Sequence, residues 1–214
     1  MPRIDFSLYL ITDRHNTAGR PLHVVLNAAL EHGVRAVQIR EKDLPVRSLL
    51  TLTREIATQT ERCAARCFVN DRVDVCLSVP GVGIHLRSDS LPVDKVRRLV
   101  GPDRLIAVST HSVDEVKRAE QQGADFVVLG PIYDTPSKRA FGQPIGLAAI
   151  DMARSKSSFP VFAIGGITRE NVGEVMGVGA SGVAVISEIM AAPDVGLTTR
   201  ELCLEIARHR TVIR

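Results

Sequence analysis

Tryptophan is absent, and only two Tyr and six Phe stand among 214 residues, so aromatic side chains make up 4% of the chain. That scarcity predicts an interior filled by Val, Ile, Leu and Ala, the packing that parallel strands favour. Long apolar runs are also lacking. No stretch approaches the ~18 residues of a spanning helix, and Met1 to Thr12 holds no signal-like apolar core. A cytoplasmic protein without a membrane partner is expected. Neither sign of charge dominates: a net +3 with both signs interspersed is too weak a field to draw nucleic acid, so any anion site must be local. Cys63, Cys67, Cys76 and Cys203 show no CxxC spacing and no histidines at zinc-ligand spacing, which argues against a structural metal and for reduced core thiols. No G-x-G-x-x-G turn follows the first strand in LYLITDRHNTAGR, which argues against a dinucleotide-binding open sheet.

What is present suits one globular domain spanning 1–214, with 45% hydrophobic and 24% charged residues. Eight short β-branched runs recur: Phe6 to Ile11, Arg35 to Ile39, Arg66 to Val69, Gly83 to Leu86, Leu105 to Val108, Phe126 to Leu129, Val161 to Ile164 and Val183 to Ile186. Amphipathic helical spacing fills Leu22 to His32, Arg47 to Arg62, Val93 to Val100, Val113 to Gln122 and Asn171 to Val178. Gly33, Gly123 and Gly179 stand where a helix stops before the next strand, a place that suits positive φ. Strict β, α alternation implies parallel strands with right-handed crossovers, and eight units of about 27 residues predict a closed (β/α)₈ TIM barrel.

In such a barrel chemistry sits where strands end, and here those places are polar. Thr12, Asp13 and Arg14 follow the first run, and Gln38, Arg40, Glu41 and Lys42 close the second. Asn70, Asp71 and Arg72 follow the third, while His85, Arg87, Ser88, Asp89 and Ser90 surround the fourth. Ser109, Thr110 and His111 follow the fifth, GPIYDTPSK the sixth, Gly165 and Gly166 the seventh, and Ser187 the eighth. The last two ends predict a phosphate site made of backbone N–H groups, with Gly165 and Gly166 clearing the approach or serving packing. Arg40, Lys42 and Lys138 lie on separate loops and suit a second, more highly charged anion. Asp71, with Asp89 as second candidate, could hold Mg²⁺ against its oxygens. His85 and His111 have no nucleophile beside them in sequence and read as packed or hydrogen-bonded residues.

The motifs LYLITDR, VQIREK, FVNDRVDV, GIHLRSDSLP, AVSTHS, GADFVVLGPIYDTPSK, PVFAIGGI and GASGVAVISEI follow one another in an order that resembles the thiamine phosphate synthase superfamily over nearly the full length. That superfamily also contains a thiazole tautomerase branch. The resemblance implies condensation of hydroxymethylpyrimidine diphosphate with thiazole phosphate, giving thiamine phosphate and pyrophosphate with Mg²⁺ as cofactor. In the family the C–O bond breaks largely before the C–N bond forms, so the protein chiefly stabilises departing pyrophosphate and positions the thiazole nitrogen. Matching motifs carries the pyrimidine diphosphate contacts to Gln38 through Lys42, Asn70, Ser109 and Lys138, with Arg40, Lys42 and Lys138 neutralising its phosphates. The thiazole phosphate falls to Thr135, Ser137, Gly166, Ile186 and Ser187, and Mg²⁺ to Asp71.

One departure stands out. The synthase pattern after strand 4 reads H-L-G-Q-x-D, whereas HLRSDS places Ser90 at the second metal ligand, Asp89 one residue early and Arg87 in place of Gly. Either Asp89 reaches the metal through a shifted loop, or Asp71 binds it with more water, or Mg²⁺-dependent synthesis is impaired. A Ser there is similar to the tautomerase branch. That branch, however, carries a catalytic His just after the strand 6 Gly, where this chain has Pro131. Retention of Lys42, Asn70, Asp71 and Lys138 favours the synthase; a tautomerase and a non-catalytic binding barrel stand as alternatives. The expected partners are small phosphorylated molecules. An apolar helix face such as Val172 to Val178 admits packing on the barrel or in a homo-oligomer.

Overall fold

A closed parallel barrel forms from strands that pair in chain order, with the last hydrogen-bonded back to the first. The computed structural model describes residues 4–135, 143–155, 157 and 159–209. The strands are β1 (Leu8–Ile11), β2 (Ala36–Ile39), β3 (Arg66–Asn70), β4 (Gly83–Leu86), β5 (Ile106–Thr110), β6 (Phe126–Leu129), β7 (Val161–Ile164) and β8 (Gly182–Val185). Each matches an apolar run of the sequence to within two residues at either end. The helices α1 (Leu22–Glu31), α2 (Val46–Arg62), α4 (Val93–Val100), α5 (Val113–Gln121) and α7 (Val172–Gly177) also match their amphipathic segments. The sequence reading did not single out α3 (Val73–Ser78), α6 (Leu147–Arg154), α8 (Ser187–Met190) or α9 (Val195–His209). One of these, α8, is a single turn and too short for a helical period to register. Gly33, Gly123 and Gly179 sit at φ +123°, +91° and +95°, as their stop positions require.

The interior is where expectation and structure part. Aliphatic side chains do fill the layer between barrel and helices, among them Leu10, Val37, Val69 and Leu129. Inside the barrel, however, Phe6, Tyr9, Phe68, Phe126 and Phe162 form a cluster with ring centroids 5.2 to 6.1 Å apart. Composition averages over the whole chain and says nothing of where its few rings gather. Room for them comes from glycine at register partners: Gly83 lies opposite Phe68 and Gly182 opposite Phe162. A Cβ at Gly83 would come within 2.7 Å of the Phe68 ring, and one at Gly182 within 2.5 Å of the Phe162 ring.

The apolar face of α7 is spent within the fold. Val172, Val175 and Met176 are buried, and the helix packs on α9. Among the described residues no helix is long and apolar enough to cross a membrane.

Candidate active site

The C-terminal ends of all eight strands open on one cavity of about 910 Å³. Its floor is apolar, built from inward-facing Ile11, Val128, Ile164 and Ala184. Its walls are the polar strand ends. Gln38, Arg40, Lys42, Asn70, Asp89 and Ser109 line one side, while Thr135, Gly166, Ile186 and Ser187 line another. Ser137 and Lys138 lie outside the described residues. Asp71 stands just behind the wall, beside Asn70, Arg87 and Ser90.

Strand alternation explains how β2 aims its cation. Gln38 points inward, and the chain then turns at Arg40, whose N–H donates to Thr12 Oγ1 at 3.0 Å. The Thr12 hydroxyl in turn donates to Glu41 Oε1 at 2.5 Å, and Arg14 Nη1 donates to Glu41 Oε2 at 3.0 Å. Glu41 is buried, so these bonds are the compensation its carboxylate needs. Arg14 also forks onto Asp43, which together with His15 holds the Asp43 carboxyl far below the usual carboxylate range. With Glu41 turned away into this network, the half-buried Arg40 guanidinium has no hydrogen bond or ion pair among the described residues. Burial pushes its pKa down, opposed by Asp13 and Glu41, and an anion in the cavity would complete it.

At the end of β3, Asp71 adopts φ +61°, an uncommon conformation that Asp tolerates, and its N–H donates to the His85 carbonyl at 2.9 Å. Its carboxylate accepts the Ser90 hydroxyl and faces Arg87 at 3.6 Å. Asp89, the other carboxylate suggested for metal, is instead forked onto Arg87 and exposed. The arginine that replaces the family glycine thus sits between the two acids.

His85 is buried, between Tyr9 and Ser109. Burial, reinforced by Arg40, lowers its pKa to about 3, so it is neutral at ordinary pH. The packed reading of this histidine holds. His111 hydrogen-bonds the Gly130 carbonyl through Nδ1 at 2.7 Å and lines the cavity.

The paired glycines after β7 serve packing more directly than access. Ile132 and Tyr133 donate to the carbonyls of Ile164 and Gly165 at 2.8 and 3.0 Å, which brings the loop after β6 hard against the strand end. A Cβ at Gly165 would lie 2.6 Å from Pro131, and one at Gly166 2.7 Å from the Asp134 carbonyl. Both residues have positive φ, at +101° and +63°. Among the described residues the N–H groups of Gly166, Ser187 and Glu188 have no backbone partner, so donors do remain at this end of the cavity. Because α8 is a single turn, those local N–H groups, rather than a long helix dipole, would meet an anion.

Residues 8–189 match the sequence profile of the thiamine monophosphate synthase family. The chain belongs to that family. It is 48% identical over 194 residues to the putative thiamine-phosphate synthase of Geobacter sulfurreducens, covering 91% of each chain. With the thiamine-phosphate synthase of Roseiflexus castenholzii it shares 40% identity over 203 residues, 95% of this chain and 89% of the relative. Thiamine phosphate pyrophosphorylase from Pyrococcus furiosus superposes with a TM-score of 0.87 at 34% identity, covering 96% of this chain and 97% of that one.

Against this thiamine monophosphate synthase background, sequence reasoning named Glu41 and His85 without their partners and passed over Tyr9. Glu41 was visible as a charged strand end, but its burial and its hold on Thr12 and Arg14 were not. Tyr9 and His85 carried a usable signal, since each is a polar group at an inward position of a barrel strand and must find a partner.

Proposed function

We propose that this chain joins hydroxymethylpyrimidine diphosphate to thiazole phosphate, forming thiamine phosphate and releasing pyrophosphate. The observation that carries the reading is Arg40, a half-buried guanidinium on the cavity wall with no partner among the described residues, beside Lys42, Asn70 and Gln38. The names of the relatives support it. Arg40 and Lys42, with Lys138 from the undescribed part of the loop after β6, neutralise the diphosphate as it departs. Ser109 and Gln38 orient the pyrimidine. The N–H groups of Gly166 and Ser187, with Thr135, hold the thiazole phosphate so that its ring nitrogen faces the reacting carbon over the apolar floor.

Magnesium is the proposed cofactor. The donor set fits it: Asp71, behind the cavity wall formed by Asn70 and Arg87, supplies one carboxylate and Ser90 a neutral oxygen next to it, within what Mg²⁺ takes alongside phosphate oxygens and water. Asp89 joins as a second carboxylate only on leaving Arg87. Bound Mg²⁺ would draw charge from the diphosphate oxygens. On this reading the chain works in the cytoplasm on small phosphorylated molecules.

The test titrates each precursor by calorimetry while pyrophosphate release is followed with and without Mg²⁺. Mg²⁺-dependent release is expected. Binding of both precursors without release under saturating conditions would overturn the reading in favour of a binding barrel, and conversion of a thiazole carboxylate phosphate alone would favour a tautomerase. Pro131 offers no proton-transfer group at the position where that branch carries its His.

A further inference from the structure

A line of polar groups runs through the aromatic core. Tyr9 is fully buried with its ring against Phe6, Phe68 and Phe126. Its hydroxyl stands 3.1 Å from Nδ1 of His85, and the two rings stack at 5.7 Å with 14° between their planes. On the far side of the imidazole, Nε2 lies 2.9 Å from Oγ of Ser109, which lines the cavity. Three side chains from β1, β4 and β5 thus connect the centre of the barrel to the substrate space.

The protons along this line can be assigned by counting donors and acceptors. A buried O–H without an acceptor costs about 1–3 kcal/mol, and His85 is the one acceptor for the Tyr9 hydroxyl among the described residues. Tyr9 therefore donates to Nδ1, which must present its lone pair. A neutral imidazole carries a single N–H, so that proton is on Nε2 and is donated to Ser109. Protonation of the whole ring does not compete, because burial holds the imidazolium pKa at about 3. Ser109 accepts from the core side, and its own proton has no acceptor among the described residues.

We propose that Tyr9 and His85 are positioning residues that make Ser109 a one-way hydrogen-bond donor into the cavity, so that the site selects a heteroaromatic ring presenting a nitrogen lone pair at that point. The inference rests on the pyrimidine reading of this side of the cavity. A ring offering C–H or N–H there leaves the Ser109 proton unpaired or opposed, which a site built around a fixed donor penalises. In Tyr9→Phe the shape of the core is kept, but Nδ1 loses its donor. Both imidazole tautomers then leave Nδ1 unpaired, and Nε2 is free to take the Ser109 proton back towards the core.

The test has two arms. Nitrogen-15 NMR of histidine-labelled wild type is expected to show His85 with an unprotonated Nδ1 and a protonated Nε2, and Tyr9→Phe is expected to shift that balance. The opposite tautomer in wild type overturns the proposal whether or not the variant folds. In the second arm, Tyr9→Phe raises KM for the pyrimidine diphosphate about ten-fold and leaves KM for thiazole phosphate unchanged. A pyrimidine analogue with CH in place of the recognised ring nitrogen loses about as much with wild type, and neither penalty persists in Ser109→Ala. Equal losses in the Ser109→Ala background overturn the proposal, because the effect would then bypass Ser109. Should wild type release no pyrophosphate, the assignment of function fails on its own, while the tautomer and calorimetric binding of the pyrimidine and its analogue still decide this inference.

Discussion

Ser90 donates its hydroxyl to the carboxylate of Asp71, closing the loop after β4 onto the end of β3. The same hydroxyl accepts the Arg87 N–H at 2.9 Å, so the serine ties its own loop together as well as to the acid. A second carboxylate at position 90 would repel Asp71 unless a cation lay between them; a hydroxyl needs none. The Ser90 hydroxyl thus joins the loop after β4 to the end of β3 through a neutral group.

The proposed Mg²⁺ site is built on that pairing. Asp71→Ala is expected to lose on the order of a hundred-fold in Mg²⁺-dependent pyrophosphate release, and Ser90→Ala far less. Ser90→Asp is expected to lower the Mg²⁺ concentration giving half-maximal rate, as is Arg87→Gly, which frees Asp71 and Asp89 from their shared arginine. Equal, small losses in Asp71→Ala and Ser90→Ala would sink the metal assignment.

Arg40 carries the charge argument for the diphosphate. Its truncation to Ala is expected to weaken pyrimidine diphosphate binding by about thirty-fold or more, the usual consequence of leaving a desolvated anion unpaired. Arg40→Lys restores charge but not the planar fork and should fall between the two. Isothermal titration with pyrophosphate reads this directly, and unchanged affinity in Arg40→Ala would remove Arg40 from the site.

Glu41 acts behind Arg40. Glu41→Gln keeps the shape but weakens the charge-assisted bonds from Thr12 and Arg14, and is expected to cost about 1–3 kcal/mol of stability. Urea unfolding measures that loss. Because Thr12 also holds the Arg40 N–H, KM for the diphosphate should rise as well.

Acid stability is expected to report His85. Its folded pKa of about 3 lies below the unfolded value of ~6.5, so unfolding takes up a proton at acid pH. The stability contributed is complete above about pH 6.5 and falls progressively as the pH drops towards 3, by on the order of several kcal/mol. Urea midpoints measured from pH 7 to 4 should therefore fall more steeply for wild type than for His85→Gln, and parallel slopes would contradict a neutral, buried imidazole.

Gly166→Ala combines a left-handed backbone with a Cβ 2.7 Å from the Asp134 carbonyl. It is expected to cost about 2 kcal/mol or more and to displace the loop after β6. Binding of thiazole phosphate should weaken with it, while binding of pyrophosphate alone changes less. Thermal unfolding with separate titrations of the two ligands distinguishes these effects.

Much of the site was legible because a barrel converts position in the chain into position in space. Once Phe126–Leu129 reads as a strand, whatever follows it belongs to the rim, and thirteen of the residues named singly at the strand ends, from Gln38 to Ser187, do line the cavity. What escaped were relations across strands. Nothing local to Gly165 announces that Pro131 will press on it, nor does Phe68 announce Gly83 as its register partner. Low aromatic content even pointed the wrong way for the barrel interior, since five rings placed together fill a core that eight scattered ones would not.

The sequence by itself determined the eight strands, the stops at Gly33, Gly123 and Gly179, and the polarity of the rim. Each depends on neighbours a few residues away through hydrophobic period and allowed φ. Only the tertiary structure decided that Ser90 meets Asp71, that Glu41 turns to Thr12 and Arg14 rather than to Arg40, and that Tyr9 speaks to Ser109 through His85. Those outcomes depend on register and on which donor finds which acceptor in a space closed to water, and such choices are made only when distant segments pack.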